Sequence, residues 1–308
     1  MNEIAIISPI AAVILIGWAF TKFGIIPRTT FRENNKILYW LSIPALLVRL
    51  TARADLAAAG NLNLLPAVHA GYLIMPLIAW AAGRLAGEER HRLAISALVS
   101  MRSNQVFMGI PAVSIALGSR GLESLSLYFA MSLVGYHMIS IAASQIVLSG
   151  GISPRSILNS ARKLATNPMV IACFAGIGFS LAGVNEFPRP VDVTLKVLGD
   201  IGTGMALLAV GAGLSFRSVP SMLRKTWRDA LIKLVVQPAV VWAFFLAWPV
   251  DSLMVKVVVF VCAMPVAVNS LVVAQGMGMD DQYAGEVIAV TTVFSAVTLP
   301  FWIRVLGI

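Results

Sequence analysis

The sequence predicts an all-α polytopic membrane protein. Ten transmembrane helices form two inverted five-helix repeats, residues 1–150 and 151–308, together one membrane domain. Three observations carry this expectation. The 308 residues are 58% hydrophobic and 12% charged, with mean hydropathy +0.86, whereas a soluble domain is roughly 25% charged and 45–50% apolar. Apolar runs of span length recur along the whole chain; a span takes about 20 residues, so ten take roughly 200 and leave only short connections. The two halves also share a pattern of prolines, glycines and tryptophans.

In chain order the spans fall at 4–23, 35–51, 64–86, 93–118, 122–148, 167–185, 194–214, 229–248, 253–276 and 284–306. The first, IAIISPIAAVILIGWAF, follows no basic segment and carries no small-residue cleavage motif, so it reads as a span, not a removable leader. Period-two alternation is absent, and in lipid a helix satisfies its own backbone, so a barrel is not expected. The 23 Lys and Arg against 14 Asp and Glu give a formal charge of +9. These cations sit in the connections, as topology signals do, rather than on a nucleic-acid surface. With the N-terminus outside, the inside connections hold Lys22, Arg28, Arg32, Lys36, Arg84, Arg90, Arg92, Arg155, Arg162, Lys163, Arg217, Arg224, Lys225 and Arg228. The outside ones hold half as many, which places both termini outside the cytoplasm of a plasma (bacterial inner) membrane. Cys173 and Cys262 lie within apolar runs as small buried hydrophobes, not as a disulfide or metal pair.

The first and sixth spans align without a gap: Pro9 with Pro168, Gly17 with Gly176, Phe20 with Phe179 and Gly24 with Gly183. The frame then drifts as short insertions accumulate, pairing Lys36 and Leu38 with Lys196 and Leu198, and Pro76 and Trp80 with Pro238 and Trp242. Apolar matches are cheap at this composition; matched Pro, Gly and Trp are not. Five spans per half means that the second half enters the membrane from the opposite face. Inverted repeats with a site near the midplane are the architecture of secondary carriers.

The fourth span of each half carries the chemistry. SALVSMRSNQVFMGIPAVSIALG and VVVFVCAMPVAVNSLVVAQGMG interrupt apolar runs with Asn, Ser, Gly and Pro. Pro111 and Pro265 each remove a backbone donor and clash with the carbonyl one turn back, near Phe107 and Val261, and Gly109 loosens the first break further. Freed carbonyls and half-helix ends can then hold a substrate or ion. Asn104 and Asn269 are the matching carboxamides, with Ser103 and Ser270 beside them. A kinked helix whose Asn and Ser bond to neighbouring helices is the plainer alternative; its occurrence in both halves favours the site. Arg102 lies nine residues into its span, on the order of 14 Å deep, where a charge is a functional candidate by default. It suits a carboxylate, or else forms a structural ion pair, with Asp200 for instance, or snorkels.

Asp200, in LGDIGTG, fits a proton-coupling carboxylate if desolvated and a plain salt bridge otherwise. His137 is a core histidine or a proton relay. Lys233 is placed near the cytoplasmic end of the eighth span, snorkelling, and Thr291 packs. No dense oxygen cluster of the sodium-site kind is visible. Nor is there any catalytic constellation, since His69, His91 and His137 are scattered and GxSxG and HExxH are missing.

At these residues the chain resembles the auxin efflux carrier family. SNQVFMGIPAVSIALG, NPMVIACFAGIGFSLAGV, MPVAVNSLVVA and VTTVFSAVTLPFWI match in order along the whole chain. The resemblance implies a fold like that of bile acid sodium symporters, with the fourth and ninth helices broken and crossing at the substrate site. It also implies a scaffold of helices 1, 2, 6 and 7 that often dimerises, and substrates that are small organic anions such as malate, malonate or auxin. Asn104 with Pro111 and Asn269 with Pro265 correspond to the crossover; Arg102 is a departure from the family pattern. The expected activity is alternating-access transport of a small carboxylate, uniport or proton-coupled, with no cofactor or metal. Sodium-coupled uptake is the alternative, and a membrane-embedded enzyme or sensor the reading from a different class. The expected partners are the anion, membrane lipid and a second copy of the chain, and no nucleic acid.

Overall fold

The computed structural model describes the chain apart from residues 1–3, 54–61, 151–153, 155–157, 159–160, 163–164 and 214–218. Arg155, Lys163 and Arg217, used in the charge count, lie outside the described residues. These described residues are helical, with no strand among them, and one isolated bridge joins Ser103 to Val266. The helices are α1 Ile4–Lys22, α2 28–52, α3 Leu64–Leu85, α4 Arg90–Val99, α5 Ile110–Leu148, α6 Pro168–Leu181, α7 Arg189–Gly213, α8 219–247, α9 Ser252–Cys262, α10 Asn269–Gly276 and α11 Asp281–Leu306. Among the described residues, four stretches are long and apolar enough to cross a membrane by length and composition: Leu64–Leu85, Met131–Leu148, Ser221–Ala247 and Asp281–Leu306. Ala12–Lys22, Pro168–Leu181 and Ser252–Cys262 are shorter apolar helices.

Several boundaries differ from the sequence expectation, each for a local reason. The second helix starts at Arg28 rather than near 35, because RTTFRENNKI is a polar, strongly amphipathic first segment. The eighth starts at Val219 rather than near 229, again with an amphipathic prefix. The expected loop between the fourth and fifth spans shrinks to one residue inside α5: Gly118 adopts φ 64° and ψ −155°, a conformation open to glycine because it has no Cβ.

Proline shapes three helices in the same manner. The described π turns are Leu38–Ser42, Gln105–Gly109 and Ile232–Val236, and a proline follows each by two residues, at Pro44, Pro111 and Pro238. A proline ring inside a regular helix collides with the carbonyl four residues back and leaves it without a donor. Widening the preceding turn relieves the collision, and it rotates the side chains of that turn relative to an unbroken helix. Pro111 therefore opens α5 rather than breaking the fourth span at Phe107. The break lies upstream, at residues 100–104.

The contacts fall into two groups. Helices α1, α2, α6 and α7 pack on one another, chiefly α1 on α7 and α6 on α2. The second group holds α3, α4, α5 and α8 to α11, with α5 lying against α3, α4 and α9. Of the glycines matched between halves, Gly17 and Gly176 sit at backbone contacts of the first group, whereas Gly24 and Gly183 adopt positive φ in open space. A Cβ on Gly17 would run into the backbone carbonyl of Leu208 in α7, and one on Gly176 into Thr51 and the carbonyl of Val48 in α2. Apolar side chains such as Leu73, Leu77, Leu246, Val293 and Val297 face outward, as lipid-facing positions do.

Candidate functional site

Two interrupted helices meet at the centre of the molecule. The chain leaves α4 at Val99 and runs irregularly to the turn at Gln105; it leaves α9 at Cys262 and runs irregularly to α10 at Asn269. The two irregular segments pair as a minimal antiparallel bridge. The Asn104 N–H donates to the Pro265 carbonyl at 2.8 Å, and the Ala267 N–H to the Arg102 carbonyl at 2.8 Å. Each break thus satisfies part of the backbone that the other leaves open, as a buried segment without its own ladder requires.

The rest is satisfied by side chains from other helices. Gln237 in α8 donates to the Met101 carbonyl at 3.0 Å, and the Val266 N–H donates to Thr291 Oγ1 at 3.2 Å. Lys233, one turn before Gln237, donates to the carbonyls of Met264 at 2.6 Å and Cys262 at 2.7 Å and to Ser103 Oγ at 3.1 Å. Lys233 is fully buried, which corrects the expectation of a snorkelling end. Because α8 begins at Val219, Lys233 is about 20 Å along it, and the π turn before Pro238 aims it inward. Neither Lys233 nor Gln237 was read as functional. The signal available was a polar pair four residues apart in LIKLVVQPAVVW, just before a proline.

Arg102 is also fully buried. Its Nε donates to Ser270 Oγ at 3.0 Å, and its terminal nitrogens to Ser140 Oγ at 3.0 Å and Asn269 Oδ1 at 2.9 Å. The guanidinium lies over the Tyr136 ring, 4.8 Å from its centroid. Among the described residues no carboxylate reaches ion-pair distance of Arg102 or Lys233. The buried carboxylate one turn before Lys233, Asp229, instead accepts from Ser96 and Tyr283, both at 2.7 Å, and lies 3.5 Å from Arg228.

A cavity of ≈ 20 Å³ touches the crossover, walled by Ser103, Asn104, Gln105, Tyr136, His137 and Asn269 on one side and by α2 on the other. It is about the size of one water. Gln105 Oε1 and His137 Nδ1, both buried, have no hydrogen-bond partner among the described residues. The N-terminal ends of two helical segments, at Gln105 and Asn269, open onto it, and such ends carry partial positive charge. One turn further along α2 and α10 lies a cavity of ≈ 530 Å³, lined by Glu33, Lys36, Tyr39, Trp40, Val272 and Gln275 among others. It opens on the side that the charge count assigns to the cytoplasm, and Asn35 bridges its wall to Gln275 at 2.8 Å.

The expected residues therefore separate into layers. Ser103, Asn104, Asn269 and His137 reach the cavity wall, while Arg102 and Ser270 stand one hydrogen bond behind it. Pro265 lies in the second break, its carbonyl used by Asn104, while Gly109 and Pro111 flank the start of α5. Asp200 is not brought to this site. It is exposed and pairs with Lys196 at 2.6 Å on the outer face of α7.

Comparison with known proteins finds relatives along nearly the whole chain. The chain is 23% identical over 305 residues to a protein of Rhizobium meliloti provisionally named a malonate transporter, covering 97% of this chain and 94% of that one. It is 23% identical over 312 residues to an uncharacterized transporter of Methanothermobacter thermautotrophicus, covering 99% of each. A third relative, an uncharacterized transporter of Methanocaldococcus jannaschii, is 22% identical over 298 residues, 94% of each chain. These relatives are transporters and not enzymes. A family model described as membrane transport protein matches residues 4–303; the chain is an integral membrane protein and belongs to that family, the auxin efflux carriers its sequence resembles.

Proposed function

We propose that this protein carries a small carboxylate across the membrane by alternating access, with the anion bound at the crossover of the two broken helices. The observation that carries the reading is the pair of fully buried cations, Arg102 and Lys233, whose partners are all neutral. A buried charge without a counter-charge is costly, and an arginine cannot shed its proton to escape that cost. An anion in the adjoining cavity supplies the missing charge. Each cation acts through one wall residue, Arg102 through Asn269 and Lys233 through Ser103, so the wall carboxamides and hydroxyls reach the ligand already polarised. A dicarboxylate matches two cations, which agrees with the name of the malonate-transporter relative.

In this reading the crossover is contracted in this structure. A one-water cavity does not hold a carboxylate, and the larger cavity one turn away is the approach from one face. The group of α1, α2, α6 and α7 serves as the frame against which the crossover group moves. The packing of α1 on α7 and of α6 on α2, with Gly17 and Gly176 at the contacts, supports the inverted relation of residues 1–150 to 151–308.

The test is a thermal-shift screen of purified protein against mono- and dicarboxylates, in wild type, Arg102→Ala and Asn104→Ala. A ligand that binds only the folded state raises the melting temperature by mass action. A dicarboxylate is expected to stabilise wild type, and both folded variants are expected to lose that shift. A shift that persists in both variants, or none with any carboxylate, overturns the site.

A further inference from the structure

Lys233 has a second consequence, separate from its charge. The three donors of its ammonium are all used on oxygens, two of them main-chain carbonyls at the end of α9 and the third a serine hydroxyl from the other break. The Cys262 carbonyl belongs to the last turn of α9, where it has no helical donor, and the Met264 carbonyl lies in the irregular segment beyond. Carbonyls at a helix C-terminus carry partial negative charge. Carbonyl and hydroxyl oxygens on an unwound transmembrane helix are the ligand type by which carriers hold an alkali cation. Such a cage needs a cation at its centre, because its oxygens point at one another across a dry space.

We propose that the Lys233 ammonium is the resident cation of this crossover: it fills a carbonyl and hydroxyl cage that an alkali ion would otherwise occupy, so the protein needs no sodium to hold its two breaks together. The tether is covalent, so the cation cannot leave with the substrate, and a sodium gradient has no site to act on. The consequence for transport rests on the carrier reading above; the cage itself does not. The titratable and charged groups nearest in the fold are Arg102 on the other break, Asp229 one turn earlier and engaged by Ser96 and Tyr283, and Cys262, whose carbonyl is a cage member. None of them places a negative charge in the cage.

The experiment uses the full-length purified protein without any organic anion, so its outcome is independent of the substrate. Melting temperature is measured in sodium, potassium and choline chloride at one ionic strength, for wild type, Lys233→Ala and Arg102→Met. Wild type and Arg102→Met are expected to melt at the same temperature in all three salts. Lys233→Ala, which opens the cage, is expected to melt lower in choline and to recover by a few degrees in sodium or potassium, saturably, as a bound ion requires. A wild type that sodium stabilises over choline overturns the proposal. So does a Lys233→Ala protein equally unstable in every salt, since the cage would then not accept an ion in place of the ammonium.

Discussion

The basic residues of the scaffold and those of the crossover are built on opposite principles. In the scaffold group, Arg49 and Arg53 at the end of α2 both grip Asp192 at the start of α7, at 2.7 and 2.8 Å. At the crossover, Arg102 and Lys233 are buried completely and hold only hydroxyls, a carboxamide and carbonyls. The first cluster has its counter-charge: Asp192 pairs with both arginines, and it fastens two helices near the membrane edge. The second keeps net positive charge where lipid and protein make it most expensive. The lesson is that a buried cation becomes informative about function through what it lacks, since a structural arginine comes with its carboxylate.

The sharpest way to break that contrast is to replace each arginine by methionine, which keeps the length and removes the charge. Arg102→Met is expected to weaken carboxylate binding about 10- to 100-fold, the range of a lost charge-assisted hydrogen bond. It should leave the melting temperature unchanged or raised, because an uncompensated buried charge disappears. Arg49→Met is expected to do the reverse: binding is retained and the melting temperature falls, because Asp192 loses its two-point partner. Binding titrations and melting curves on the same two preparations decide it. If Arg102→Met melts well below wild type while Arg49→Met does not, the assignment of roles is inverted.

Packing offers a second comparison of the same two regions. Gly17 sits where α1 touches the α7 backbone, and an added Cβ would overlap the Leu208 carbonyl. Gly109, before α5, has its nearest neighbour for such a Cβ at 3.6 Å, the Val261 side chain, which is ordinary contact. Gly17→Ala is therefore expected to cost about 1–3 kcal/mol through forced separation of two helices, whereas Gly109→Ala is expected to stay within about 1 kcal/mol of wild type. Chemical or thermal unfolding of the two variants measures the difference. Equal losses would mean that the scaffold is no more tightly packed than the crossover.

How much of this was legible in the sequence follows from the kind of signal each residue leaves. Apolar runs between basic connections are a composition signal, and the all-helical membrane protein they announce is what the structure contains. Asn104, Asn269 and Arg102 stood out because polar groups are rare in such runs, and the structure gathers them at one place. Position along a helix was harder to read. Lys233 falls near a helix end when the amphipathic prefix 219–228 is read as a loop, and its place at the crossover is then hidden. For Asp200 the glycine-rich neighbourhood suggests close packing, but it is Gly199 and Gly202 on the inner face of α7 that pack, against Leu46 and Ser42, while Asp200 itself is exposed. Of the two prolines expected at the breaks, Pro265 lies in one, whereas Pro111 begins the next helix. A π turn is set by a proline two residues ahead of it, a relation visible only once three cases stand together.

The smallest expected effect tests the scaffold cluster alone. Hydrogen bonds from Arg49, with Arg53 beside it, hold the Asp192 carboxyl below the usual carboxylate range. A carboxylate whose folded value is lowered contributes stability above its unfolded value, about 3.9, and loses that contribution as pH falls through the lower folded one. Asp192→Asn keeps the shape and removes the titration. At neutral pH the variant should melt slightly below wild type, and the gap should narrow as the solution is acidified through the carboxylate range. The pair is solvent-accessible, so the gap should also shrink with added salt. A gap that stays constant from neutral to acid pH would mean that Asp192 fastens α7 through hydrogen-bond geometry alone. The completeness of the scaffold cluster would then be a matter of shape rather than charge, and the contrast with the unpaired cations of the crossover would lose its electrostatic basis.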